Sequence, residues 1–281
     1  MENPALNLPT AAVAGRSAAT VLAITSGKGG VGKTNIAANL AVCLAARNKQ
    51  VLLLDADLSL GNVDLVMDIH SRYNISHVIS GHKSMEEIIQ TGPKGLRIIC
   101  GASGLDRLAD ISESEQHRLI EHLCRLQHET DMILIDTAAG ISRPVISFCL
   151  AADRVLVVTT PEATAMADSY GIIKVLVRKQ YAGSISLVVN MARSEAEGKQ
   201  IYQRMADVAQ RFLQTNLYYA GTLPKDERLC AAVRSRTPVV LAHPKSQVST
   251  SLAAMAARLG DTRRCSATDH GFFRRVIRWL S

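Results

Sequence analysis

The sequence predicts one α/β domain, a mainly parallel twisted sheet sandwiched by helices. Three observations carry this. Val21-Leu22-Ala23-Ile24-Thr25, a β-branched apolar run, leads through a glycine-rich stretch into the alanine- and leucine-rich run from Asn35 to Arg47, which is strand, loop, helix. Two further apolar runs, Val51 to Leu54 and Met132 to Ile135, end in aspartates, as expected of buried parallel strands whose C-terminal ends face a ligand. From Arg154 onward, strand and helix alternate in three more βα units, a rhythm that demands right-handed crossovers. A chain of 281 residues with 47% hydrophobic content has room for one large core. The domain is expected over 20–262, with a flexible tail at 1–19 and a linker plus short helix at 263–281.

The tail, Met1 to Ala19, is rich in alanine, proline and small polar residues without amphipathic period. After the first strand, Gly27 to Thr34 has the spacing G-x-x-x-x-G-K-T of a phosphate-binding loop. Its glycines permit positive φ and turn backbone N–H groups inward, and the following helix favours negative charge at its N-terminus. Gly29, Gly30, Val31, Gly32, Lys33, Thr34 and Asn35 are the candidate phosphate-binding residues. Lys33 reaches the β- and γ-phosphates, and Thr34 offers a hydroxyl to Mg²⁺. A glycine-rich turn that binds nothing is the bland alternative, and the strand and helix flanking this loop argue against it.

The strand Val51 to Asp57 presents Asp55 and Asp57 at its end, where a turn or cap role competes with a functional one. Between Met67 and Leu105 the pattern weakens to a short helix around Met85 to Gln90 and a strand from Gly95 to Cys100. Glu113 to His128 reads as an amphipathic helix with Leu119, Ile120, Leu123 and Leu126 inward. Ser112 to Glu115 supplies capping oxygen and negative charge to its start. Asp136 closes the strand from Asp131. Strands follow at Arg154 to Thr159, Ile185 to Asn190 and Leu217 to Leu223, with helices through Lys179, through Leu213 and from Glu227.

The C-terminal stretch from Gly271 forms a short basic amphipathic helix at 100° per residue, with Phe272, Phe273, Val276, Ile277, Trp279 and Leu280 on one arc and Arg274, Arg275 and Arg278 on the other. The apolar arc suits the acyl boundary of a membrane and the arginines suit anionic headgroups. The alternative is an ordinary last helix docked on the domain or on a partner. The net charge of +7 points to an anionic partner without distinguishing nucleic acid, nucleotide and membrane. Six scattered cysteines show no C-x-x-C spacing, so neither a zinc site nor a disulfide framework is expected, and a reducing cytoplasm fits. No 18-residue apolar run and no signal-type start occur, so the expected place is the cytoplasm, reversibly peripheral on the inner face of the cell membrane.

Lys28-Gly29-Gly30-Val31-Gly32-Lys33-Thr34 resembles the deviant phosphate loop of MinD/ParA-class ATPases, and the resemblance runs from Val21 to Leu259. It implies a single P-loop NTPase domain that binds ATP and Mg²⁺ and forms a homodimer with ATP, in which Lys28 crosses the interface to the partner's nucleotide. It further implies that Asp57 orients the attacking water, that Asp55 and Asp136 support Mg²⁺ through water alongside Thr34, and that the Gly140 N–H senses the γ-phosphate. Catalysis then rests on Lys28, Lys33 and Asp57. Leu58 to Asp64 is similar to the family's switch I, with Ser59 where glycine is usual. Pro161-Glu162 and Asp168 match a family stretch that opens a helix. Asn190 corresponds to the base-reading asparagine, and Pro224 and Asp226 to the loop over the adenine. No N-K-x-D signature is present, so ATP is preferred to GTP.

Within the class, Leu53-Leu54-Asp55-Ala56-Asp57-Leu58 and Asp136-Thr137-Ala138-Ala139-Gly140-Ile141 look most similar to flagellar-number regulators of the FleN/FlhG group. That resemblance implies a slow ATPase switch restraining a flagellar transcriptional activator and working with a signal-recognition-type GTPase. The D-Q-A-x-x-L-R motif that stimulates the GTPase is absent from Met1 to Ala19, so transcriptional restraint fits better. A division-site MinD-type ATPase and a ParA-type DNA-partitioning ATPase are the alternatives. Direct DNA binding is not expected, since it has no use for the hydrophobic tail. An iron–sulfur reductase would need paired bridging cysteines, and Cys100 has no such companion downstream of Asp136.

Overall fold

Eight strands form a single sheet in the order β3-β4-β2-β5-β1-β6-β7-β8. The computed structural model describes residues 19–57, 61–101, 113–260, 271–273 and 275–276, with side chains at 113–118 outside the description. The strands are β1 (Thr20–Ser26), β2 (Val51–Ala56), β3 (Gln90–Thr91), β4 (Arg97–Ile99), β5 (Met132–Ala139), β6 (Arg154–Thr159), β7 (Ser184–Ala192) and β8 (Leu217–Pro224). All neighbours run parallel except β3 and β4. Central strands β1, β2 and β5 are buried on both faces, which is why they read as continuous apolar runs rather than alternating ones.

Two apolar layers cover the sheet. On one face lie α1 (Lys33–Ala45), α2 (Val63–Met67), α9 (Glu227–Arg234), α10 (Val239–Ala242) and α11 (Gln247–Gly260). On the other lie α3 (Ile75–Ile79), α4 (Met85–Ile88), α5 (Glu113–His128), α6 (Arg143–Ala151), α7 (Ala163–Arg178) and α8 (Glu195–Leu213). In α5, Leu119, Leu123 and Leu126 are buried as the helical period requires. The sequence reading has no counterpart for α2, α3, α6, α10 or α11.

The order places β1 at the topological switch point, flanked by β5 and β6, so the loop after β1 opens at the crevice where such sheets bind ligands. β2 and β5 pair with Asp55 opposite Asp136, so both carboxylates reach the same end of the sheet side by side.

Two sequence expectations change at the ends of the chain. Ala19, assigned to the tail, is buried, and its N–H donates to the Gln127 carbonyl at 3.1 Å. Phe272, Phe273 and Val276, assigned to a membrane face, are buried in the same apolar layer as Leu119, Leu123 and Phe148. Their docking follows from what surrounds them. Arg275 donates to the Ala151 carbonyl at the end of α6, with Nε at 3.0 Å and Nη2 at 2.6 Å, and pairs with Asp153 at 3.4 Å. A guanidinium thus satisfies a helix C-terminus while the aromatic face fills the groove beside it. Ile277, Trp279 and Leu280 lie outside the described residues, as do Leu58, Ser59 and Leu60.

Candidate nucleotide site

The loop is held from three sides. α1 begins at Lys33 with Gly32 as N-cap in the left-handed region (φ 91°), with no side-chain cap and no acidic residue in the first turn. The first N–H groups of α1 therefore face the loop with no side chain of their own helix competing for them. Gly30 also has positive φ, 76°, which a residue with a Cβ adopts only under strain. From one side Asn190, at the end of β7, donates through Nδ2 to the Val31 carbonyl at 2.8 Å and accepts from Met191 N–H at 2.9 Å. From another, the Asp168 backbone of α7 approaches so closely that a Cβ at Gly27 would lie 2.3 Å from it. From below, Gly140 N–H donates to the Ser26 carbonyl at 2.8 Å. The sequence reading aims that N–H at a γ-phosphate, whereas here it is spent on the root of the loop.

Asp136 is buried, and its Oδ1 has no hydrogen-bond partner among the described residues. Burial pushes its carboxyl up to about 7, opposed by the Thr34 hydroxyl and by the charge of Lys33. A desolvated, half-satisfied carboxylate beside a threonine hydroxyl is the donor set that a hard cation completes, so these residues fit Mg²⁺. Asp55 is also buried and raised to about 6, mainly by desolvation. Its two oxygens accept from Asp57 N–H at 3.1 Å and Val63 N–H at 3.2 Å. Asp55 therefore ties Asp57 and Val63 to the end of β2, and Gly61 is needed there because a Cβ would stand 2.5 Å from Asp55 Oδ2. Asp57 lines a polar cleft of about 260 Å³ with Asp55, Asp64, Arg72 and Asn74.

Asn35 and Asn190 line a second cavity, about 310 Å³, with Ile36, Leu223, Leu229, Val233 and Leu252. Its walls are apolar and its polar atoms few, the character of a site for a flat heteroaromatic ring. Pro224 and Asp226 are not among its lining residues. Asp226 is the N-cap of α9, accepting from Arg228 N–H at 2.8 Å, so its carboxylate is committed to the helix. The cavity's Leu229, Val233 and Leu252 were missed from sequence because they come from α9 and α11, which carry no motif.

Lys28 is engaged on its own chain: Nζ meets Glu162 Oε2 at 2.5 Å and Thr164 Oγ1 at 3.1 Å. Glu162 is the N-cap residue of α7 and Thr164 lies in its first turn, both on the same chain.

Comparison with known proteins agrees with this geometry. The family described as ParA: NUBPL iron-transfer P-loop NTPase matches residues 17–260. The chain is similar to the antiactivator FleN of Pseudomonas aeruginosa, 38% identical over 239 residues, covering 85% of each protein. It is also similar to the flagellum site-determining protein YlxH of Helicobacter pylori, 33% identical over 92% of this chain and 90% of that one. The fold matches the septum site-determining protein MinD complexed with Mg-ADP from Pyrococcus horikoshii, with a TM-score of 0.70 and 25% identity over 86% of this chain and 96% of the other. With the loop, the aspartate pair and the apolar cavity beside Asn190 on a single sheet, the chain belongs to the ParA family of P-loop NTPases and is an ATPase of the MinD/ParA type.

Proposed function

We propose that this ATPase is a dimerisation switch that sets flagellar number or flagellar gene expression by changing partners as ATP is bound and hydrolysed. The similarity to FleN and YlxH over most of the chain supports the flagellar assignment. The observation that carries the chemistry is the unpartnered Oδ1 of buried Asp136 beside Thr34 and Lys33.

In this reading the loop N–H groups and Lys33 hold the β- and γ-phosphates of ATP, and Asn190 with the apolar cavity holds the adenine. Thr34, Asp136 and Asp55 would hold Mg²⁺, the aspartates through water, and the bound ion would neutralise charge developing on the phosphoryl oxygens. Asp57 orients the attacking water, and Lys33 and the partner's Lys28 stabilise the charge as water displaces ADP. Engaging a γ-phosphate releases the Gly140 N–H from Ser26, which couples the nucleotide to the segment after β5. The protein partner is a flagellar transcriptional activator, with a signal-recognition-type GTPase as a second candidate. Membrane attachment requires the C-terminal segment to leave the groove that buries Phe272, Phe273 and Val276.

Mass in solution tests the switch: dimer is expected with ATP and monomer with ADP, and the Asp57→Ala variant should hold the dimer longer. If ATP never yields dimer, the reading fails. Sedimentation with anionic vesicles, comparing full-length protein with a chain ending at residue 270, tests the membrane step. Equal pelleting of the two chains in ATP removes it.

A further inference from the structure

Lys28 is a positive side chain placed where a helix N-terminus repels it, yet it is held there by two acceptors. Glu162 is the N-cap residue of α7, but its carboxylate makes no capping bond and is turned to Lys28 instead. Thr164, in the first turn, adds the second acceptor. The frame between them is stiff, because α7 abuts the loop at Gly27 through the Asp168 backbone. The crest of the loop is different. A Cβ at Gly29 or Gly30 would meet nothing within 4 Å, so the backbone beside Lys28 faces open space.

We propose that Glu162 and Thr164 form a cis holding site for the Lys28 ammonium, keeping it on its own subunit until the triphosphate bound to a second copy of this chain draws it away. The inference rests on the dimer reading above, in which Lys28 acts in trans. The physical case is a competition between acceptors. One exposed carboxylate and a hydroxyl hold an ammonium weakly, whereas a triphosphate carries several negative charges on closely spaced oxygens. ADP offers less charge, so the lysine stays parked and the dimer does not close. Glu162 and Thr164 are positioning residues: they delay dimerisation by setting the ATP threshold at which Lys28 changes sides. The weakness of a surface ion pair sets the scale, about fivefold at most for each latch and about 25-fold for a dimer that opens two.

The experiment has two arms. In nucleotide-free protein, acylation of Lys28 by an N-hydroxysuccinimide ester, read by peptide mass spectrometry, should quicken severalfold in Glu162→Gln and further in Glu162→Gln/Thr164→Ala. The other lysines should keep their wild-type rates, and the thermal midpoint should be unchanged. In the second arm, the concentration of a non-hydrolysable ATP analogue giving half dimer should fall by up to about fivefold in the same variants, since a dimer takes up two nucleotides and the midpoint moves as the square root of the roughly 25-fold gain. Unchanged Lys28 acylation overturns the holding site. Faster acylation with an unchanged or raised dimerisation midpoint overturns the threshold role and makes Glu162 a dimer contact. A wild-type chain that never dimerises with the analogue sinks the switch reading itself, while the acylation arm still decides where Lys28 rests.

Discussion

Asp136 illustrates how much a single buried residue constrains. Its carboxyl is raised from 3.8 to about 7 by burial, so the folded chain holds a proton that the unfolded chain releases. Stability of the nucleotide-free protein should therefore fall as pH rises from about 4 to about 7, with the full penalty above that window. Asp136→Asn should remove this penalty, stabilising the protein at pH 8 by on the order of 2 kcal/mol and not at pH 4. Urea midpoints at the two pH values check it, and the variant should bind ATP in Mg²⁺ less well than wild type. Gly27 is constrained by proximity rather than charge. Gly27→Ala must push α7 away from the loop, because its Cβ would enter the Asp168 backbone. A loss of about 2 kcal/mol or more, with weakened ATP binding, is expected by urea unfolding and nucleotide titration.

At the scale of elements, β8 shows how the sheet ends. As an edge strand it leaves carbonyls unpaired, and side chains meet them: Tyr202 donates to the Leu217 carbonyl at 2.7 Å and Arg258 to the Ala220 carbonyl at 2.7 Å. At Gly221 the register with β7 has just shifted, with φ +152°. A guanidinium and a bulge together discourage another strand from adding here. Arg258→Ala should cost about 1 kcal/mol and increase aggregation on heating, measured by light scattering against wild type. The C-terminal segment is the second informative element. Its amphipathic arc was legible from Gly271 onward, but period alone says only that one face is apolar, not what covers it. Phe272→Ala should destabilise the nucleotide-free chain by about 3–5 kcal/mol in urea, the cost of an aromatic cavity. A freely exposed helix would show almost none.

For the whole molecule, the sheet order brings sequence-distant residues to one end: the loop after β1, Asp55 after β2, Asp136 after β5, Glu162 after β6 and Asn190 after β7. The alternation of apolar runs and helical periods determined this architecture by itself, because parallel strands need buried apolar faces and long crossovers. The spacing Gly27 to Thr34 likewise determined a phosphate site, since backbone N–H groups can converge on phosphate only where glycines allow the turn. Tertiary structure alone decided which atoms are already engaged. The Gly140 N–H sits on Ser26, Asp226 caps a helix, Lys28 rests on Glu162, and Phe272 and Phe273 of the C-terminal segment are buried. Sequence names residue types and their local period. Which partner each side chain takes depends on what the fold brings within about 3 Å of it, and those neighbours lie more than a hundred residues away for Lys28 and Glu162.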